Sequence, residues 1–198
     1  MSSPKPENVV FNVPNQLTAA RLILSIGVFV LIPLELYLAA MIVFIVAAGT
    51  DWIDGYWARK YNQITKLGRV FDPFVDKVLI CGTFIFLAAE EGSGIAPWMA
   101  VVIMGREMLV TALRSMIEQG GGDFSAKMAG KLKMVFQCLA VGASLVTLMH
   151  LQSGTASSPA ELPAWLFWTL HISVWLAIIS TIYSGLEYVF VAAKQMRA

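Results

Sequence analysis

Four of the chain's five aspartates fall in one short stretch, 51-DWIDGYWARKYNQITKLGRVFDPFVDK-77. Asp51 and Asp54 are spaced i, i+3, and Asp72 and Asp76 are spaced i, i+4. If each pair sits on a helix, its two carboxylates share one face. A short connection makes the two helices antiparallel neighbours, so the faces can oppose. Each aspartate within a bilayer costs about 2.5–3.5 kcal/mol on insertion scales, and four together repel one another. Divalent cations would relieve both costs. All-oxygen ligation suits Mg²⁺ or Mn²⁺, and two such ions can clamp both sides of a phosphoryl displacement. The alternative is that the carboxylates are solvated or paired with Arg59, Lys60, Lys66 and Lys77.

The neighbouring residues add shape to this chemistry. Gly55 follows Asp54 and Ala58 lies one turn on, so a bulky ligand could approach the helix backbone closely. Arg59 offers a planar fork for a phosphate. Gly68, just before the third helix, could shape a turn. Taken singly, Gly55 and Ala58 could be helix-packing residues and Arg59 a snorkelling charge. Together with the aspartates they describe a metal-held nucleotide diphosphate.

The elements that must position these groups are apolar. Hydrophobic residues make up 58% of the 198 residues and charged residues 14%; mean hydropathy is +0.70. Soluble domains are nearer 45–50% apolar and about 25% charged, so the composition indicates an integral membrane protein. A net charge of +1 argues against nucleic acid as a partner. A spanning helix needs about 20 mainly apolar residues. Six stretches are predicted: Leu17–Pro33, Leu36–Ile53, Phe71–Ala89, Ala96–Ile117, Met134–Leu151 and Trp165–Tyr188. Between them lie Pro33, a polar loop from Lys60 to Arg69, EEGSG at 90–94, GGGDFS at 120–125 and QSGTASSPAELP at 152–163. The expectation is an all-α polytopic protein with six transmembrane helices. It forms a single transmembrane catalytic domain over 1–198, with residues 1–16 as a cytoplasmic N-terminal segment. MSSPKPENVVFNVPN lacks an adjacent apolar core and cleavage site, so no cleaved signal peptide is expected. Trp98, Trp165 and Trp168 fall near predicted helix ends, as interfacial aromatics do.

Lysines and arginines orient the helices. With the N-terminus and Lys5 in the cytoplasm, so are the second and fourth loops and their flanks. These carry Arg59, Lys60, Lys66, Arg69, Arg114, Lys127, Lys131 and Lys133, and the C-terminus adds Lys194 and Arg197. The other side has Glu35, Glu90, Glu91 and Glu161 and no Lys or Arg. The positive-inside rule then puts both termini and the aspartate cluster on the cytoplasmic side, within reach of cytosolic solutes and bilayer lipid.

A second set of charges lies further along. Arg106 and Arg114 are eight apart, about two helical turns. Arg106 is inside an apolar run, where a cation needs a partner. An anionic substrate would supply one; Glu107 or another carboxylate is the alternative. Cys81 and Cys138 sit in apolar runs without metal-ligand spacing, so neither a disulfide nor a zinc site is expected. His150 and His171 are expected to pack rather than to ligate, and Glu187 has no assignment.

The aspartate stretch resembles the signature of the CDP-alcohol phosphotransferases, D-x2-D-G-x2-A-R-x8-G-x3-D-x3-D. It is met without a gap by Asp51, Asp54, Gly55, Ala58, Arg59, Gly68, Asp72 and Asp76. Outer segments resemble the family branch that uses glycerol 3-phosphate as acceptor. These are NVPNQLTAAR at 12–21, GREMLVTALR at 105–114 and GKLK at 130–133, where Met134 stands in place of the usual threonine. The resemblance implies six transmembrane helices, cytoplasmic catalysis and two Mg²⁺ or Mn²⁺ ions. It also implies a homodimer in the bacterial cytoplasmic membrane, acting on CDP-diacylglycerol and glycerol 3-phosphate among membrane lipid.

Carried over residue by residue, the resemblance implies metal ligands at Asp51, Asp54, Asp72 and Asp76, with Asp76 as the base that deprotonates the acceptor hydroxyl. Asn15, Thr18, Asp51, Gly55, Ala58 and Arg59 would bind CDP. Arg106, Arg114, Lys131 and Lys133 would bind the acceptor phosphate. Two alternatives stay open. One is a family member with another acceptor, such as a cardiolipin synthase using phosphatidylglycerol. The other is a cation transporter, against which stand the position of the aspartates at one membrane face and the lack of an internal repeat.

Overall fold

The computed structural model describes residues 13–61, 66–119, 128–154 and 161–195; for 13–14, 51–61, 66–70, 72, 118–119, 128–129, 131 and 195 it describes the backbone alone. Among the described residues the chain is all-α, with six helices: α1 (Val13–Leu31), α2 (Tyr37–Tyr61), α3 (Lys66–Ala89), α4 (Pro97–Gln119), α5 (Met128–Gln152) and α6 (Ala164–Gln195). Each contains or closely matches one predicted stretch. Most run further at the charged ends than hydropathy indicates. α2 continues to Tyr61 and α3 already begins at Lys66, so most of the expected Lys60–Arg69 loop is helical, and Gly68 lies inside α3 rather than before it. The physical reason is that charged residues such as Lys and Arg are good helix formers. They lower hydropathy without ending a helix. The segments GGGDFS and residues 1–12 lie outside the described residues.

The chain divides into two compact units, one reaching Phe86 and the other beginning at Leu87. In the first, α1 packs along α2. α1 also meets α3 where Phe29 stacks on Phe86, ring centroids 5.2 Å apart. In the second, α6 packs against both α4 and α5.

In both units, polar residues join the buried faces while the exposed faces are apolar. The buried face of α1 is Thr18, Arg21, Ser25 and Val28, at alternating three- and four-residue steps, and buried Ile32 follows just past its end; its exposed face carries Ile23, Ile26 and Val30. α5 buries Lys133, Gln137, Ala140, Ser144 and Thr147 at the same steps and exposes Leu132, Val135 and Leu139. α6 exposes Ile172, Ile179, Phe190 and the tryptophans Trp165, Trp168 and Trp175. A water-solvated helix does the reverse; helices with apolar exposed faces and partly polar buried ones suit lipid as solvent.

By length and composition, two helical segments among the described residues can cross a membrane, Leu132–Gln152 and Ala164–Lys194, and shorter apolar helices run over Asn15–Leu31 and Tyr37–Thr50. Site-bearing charges interrupt the rest. The apolar run of α2 stops at Asp51. α3 carries Asp72, Asp76 and Lys77 in its first half, and α4 carries Arg106, Glu107 and Arg114 mid-length.

Candidate functional site

In the first unit the buried face of α2 passes through Tyr37, Ala40, Phe44 and Ala47. Continued along the same helix, that register meets residues 51, 54 and 58. Asp51, Asp54 and Ala58 therefore fall on the helical register that continues this series. Their side chains, with those of Gly55, Arg59 and Asp72, lie outside the described residues. On α3, Asp76 is described, one turn before buried Leu79.

Asp76 is held from α1. Arg21 is fully buried, and its Nη1 donates to Asp76 Oδ1 at 2.5 Å, while the Asp76 side chain stays 29% exposed. Arg21 belongs to the same buried face as Thr18, one turn earlier, with Asn15 half-buried one turn before that. The α1 residues expected at the nucleotide thus share their helix face with the anchor of Asp76. Sequence reasoning gave Arg21 no role. Its signal was an arginine inside an apolar run, three residues after Thr18.

Among the described residues no group of three His, Cys, Asp or Glu side chains is set to hold a metal ion. Three of the four expected ligands are outside that set. The donor chemistry fits a divalent ion: four carboxylates on two consecutive helices, two on one helical register of α2, and one described carboxylate held and partly exposed.

In the second unit the cations gather around one carboxylate. Glu107 on α4 is buried. Its Oε1 accepts from Arg106 Nη1 at 3.0 Å and from Lys133 Nζ on α5. The acidic alternative for Arg106 is therefore present in the fold, and it ties Arg106 to Lys133. α6 supports Arg106 from another side. Its guanidinium carbon is 5.5 Å from the Tyr188 ring centroid, a cation–π distance. At Gly185 a Cβ would come within 3.1 Å of Arg106 Cγ, so glycine leaves room for the arginine stem.

Arg106 is still not satisfied. Its side chain is 9% exposed, yet Nε and Nη2 are buried without a hydrogen-bond partner among the described residues, as is Nε of Arg114. A buried unpaired donor costs about 1–3 kcal/mol, more if charged, and such groups point to a missing ligand. Among the described residues no ion pair joins Arg114 to Glu107. The side chain of Lys131 lies outside the described residues, although its backbone is in α5. Tyr188 and Gly185 are contributors that only the fold brings to Arg106, and Lys133 joins it through Glu107.

The remaining candidates are structural. His150 Nδ1 and His171 Nδ1 hydrogen-bond the carbonyls of Val146 and Phe167, each one turn back in its own helix. Cys81 and Cys138 are not joined in a disulfide; the first is buried and the second half-buried.

Comparison with known proteins bears on both units. A family model described as CDP-alcohol phosphatidyltransferase matches residues 11–183. A Bacillus subtilis (strain 168) protein named CDP-diacylglycerol–glycerol-3-phosphate 3-phosphatidyltransferase is 37% identical over 196 residues, covering 90% of this chain and 94% of that protein. Proteins of the same name from Pseudomonas fluorescens and Escherichia coli (strain K12) are 36% and 32% identical, each over 94% of this chain and over 92% and 97% of their own lengths.

Proposed function

Because the chain belongs to the CDP-alcohol phosphatidyltransferase family, we propose that it transfers the phosphatidyl group of CDP-diacylglycerol to glycerol 3-phosphate, giving phosphatidylglycerophosphate and CMP. Relatives that carry this activity in their names match 90% and 94% of the chain. One structural observation carries the acceptor. Arg106 is buried, held on one side by Glu107, and keeps two N–H donors without a partner among the described residues. A phosphomonoester supplies the charge and the paired oxygens that such a guanidinium takes up.

The residues divide by substrate. Asn15, Thr18, Gly55, Ala58 and Arg59 serve the cytidine diphosphate. Arg106, Arg114, Lys131 and Lys133 serve the acceptor phosphate. Asp51, Asp54, Asp72 and Asp76 are the ligands for two divalent ions, Mg²⁺ or Mn²⁺, which when bound neutralise the pyrophosphate and the developing charge of transfer. Asp76 takes the proton from the 1-hydroxyl of glycerol 3-phosphate. That oxygen attacks the β-phosphorus in line, the new P–O bond forms, and the P–O bond to CMP breaks. Arg21 fixes the orientation in which Asp76 does this, through the contact at 2.5 Å. The chain's own contribution is mainly positioning and charge, as phosphoryl transfer requires.

The same reading has the chain work as one catalytic domain over 1–198, a homodimer in the bacterial cytoplasmic membrane with six spans. Both termini and the chemistry face the cytoplasm. The distribution of Lys and Arg supports that orientation.

The test is CMP release by purified protein in CDP-diacylglycerol micelles. Release is expected only when glycerol 3-phosphate is added, and EDTA abolishes it. Release with phosphatidylglycerol instead of glycerol 3-phosphate would replace this acceptor assignment with the cardiolipin-type one.

A further inference from the structure

We propose that Glu107 is a positioning residue of the acceptor site: it caps Nη1 of Arg106 and thereby presents the opposite, Nε–Nη2 edge to the acceptor phosphate. This deepens the function proposed above and rests on it. The geometry is asymmetric. Both cations that Glu107 engages, Arg106 through Nη1 and Lys133 through Nζ, donate to the same oxygen, Oε1. The two Arg106 nitrogens left without a partner among the described residues are Nε and Nη2. Those two carry parallel N–H bonds along one edge of the guanidinium, in its plane, and that edge grips two oxygens of a phosphate at once.

Three contacts keep the arginine from turning that edge away. Glu107 holds Nη1 at 3.0 Å. The Tyr188 ring faces the guanidinium at 5.5 Å. The stem lies close to α6 at Gly185. Burial makes the orientation consequential, because a solvated arginine could sample either edge freely, whereas this side chain is only 9% exposed. Glu107 also fixes Lys133, 26 residues further on and near the start of α5, to the same point. One carboxylate therefore sets the relative positions of a planar fork and a point charge, the two donor types a phosphomonoester meets here. The opposite role, a carboxylate that occupies the phosphate position until substrate displaces it, would leave the gripping edge engaged by Glu107. It is instead the Nη1 side that is engaged.

The experiment is steady-state CMP release by Glu107→Gln, with glycerol 3-phosphate and CDP-diacylglycerol varied in turn and inorganic phosphate as a competing anion. Glu107→Gln keeps the shape and an acceptor oxygen but loses the charge that holds both cations. KM for glycerol 3-phosphate is expected to rise about tenfold or more. The inhibition constant of inorganic phosphate should rise in parallel, and KM for CDP-diacylglycerol should stay unchanged. Unchanged values for glycerol 3-phosphate and phosphate would overturn the proposal. So would a lower KM, the signature of a displaced placeholder. If the glutamine variant does not fold, Glu107→Asp keeps the buried charge but draws its oxygen back by one methylene. A several-fold rise in the same two constants is then expected, and no change in a folded Asp variant overturns the proposal. The wild-type arm reads the acceptor assignment separately: no CMP release with glycerol 3-phosphate refutes that assignment, whatever the Glu107 variants do.

Discussion

Replacing Arg21 with methionine removes the anchor of Asp76 while preserving a long apolar side chain in α1. Arg21 is fully buried, and Asp76 is 29% exposed. Removing one partner of a buried ion pair costs about 3–5 kcal/mol, because the other charge is left uncompensated. The partial exposure of Asp76 relieves a share of that, which leaves a loss of about 2–3 kcal/mol. For a chain of this length each kcal/mol moves the midpoint by about 2–4 °C, so Tm in EDTA should fall by about 5–10 °C. A divalent ion that binds the folded carboxylates stabilises by mass action. Saturating Mg²⁺ should therefore recover part of the loss, and the variant should respond to Mg²⁺ more strongly than wild type. Turnover should fall about a hundredfold, since a misplacement of about 1 Å in a reacting group has that effect. Arg21→Lys keeps the charge but not the fork and should fall between. The assays are tryptophan-fluorescence melting in detergent, with EDTA or Mg²⁺, and CMP release. An Arg21→Met protein with wild-type Tm in EDTA and wild-type kcat would refute the role of Arg21 in holding Asp76.

Asp76→Asn keeps an acceptor oxygen for Arg21, so the fold should survive; kcat should drop at least a hundredfold, with CDP-diacylglycerol binding retained, as measured by CMP release and ligand binding. Gly82→Ala would put a Cβ 2.2 Å from Phe29 Cζ and 2.5 Å from Cε1, against a ring that stacks on Phe86; the overpacking should cost about 1–3 kcal/mol, visible as a lower melting midpoint that Phe29→Leu partly restores. Tyr188→Leu removes the aromatic face under Arg106, a contact of about 0.5–2 kcal/mol, and should raise KM for glycerol 3-phosphate several-fold without moving KM for CDP-diacylglycerol.

The spacing of Asp51, Asp54, Asp72 and Asp76 was legible because helical periodicity converts sequence intervals directly into faces. The number and order of helices were legible for a similar reason: apolar runs and turn residues mark them. Helix ends were less so. Hydropathy stops α2 near Ile53, yet the helix continues through Asp54, Arg59 and Lys60 to Tyr61, because backbone hydrogen bonding does not depend on what the side chains prefer as solvent. The Arg21–Asp76 contact joins residues 55 apart, and nothing local in either segment names the other. Glu107 was visible as an alternative partner for Arg106. That it would engage one edge of the guanidinium and recruit Lys133 depends on how α4, α5 and α6 pack, which a single sequence does not encode in any interval.

Charge balance within each unit explains how a chain with so apolar an exterior carries this chemistry at all. An isolated Arg, Lys or Asp inside a bilayer costs about 2.5–3.5 kcal/mol. In the first unit Arg21 is matched by Asp76, and in the second Arg106 and Lys133 are matched by Glu107. The two arrangements leave different residues of charge. Arg21 and Asp76 offset each other. Arg106 and Lys133 share the single carboxylate of Glu107, and Nε of Arg114 is buried without a hydrogen-bond partner among the described residues, an arrangement that suits an anion. An α4 without Glu107 would leave Arg106 without the carboxylate that pairs with it, and the same substitution that weakens acceptor binding should therefore also lower the yield of folded protein from the membrane.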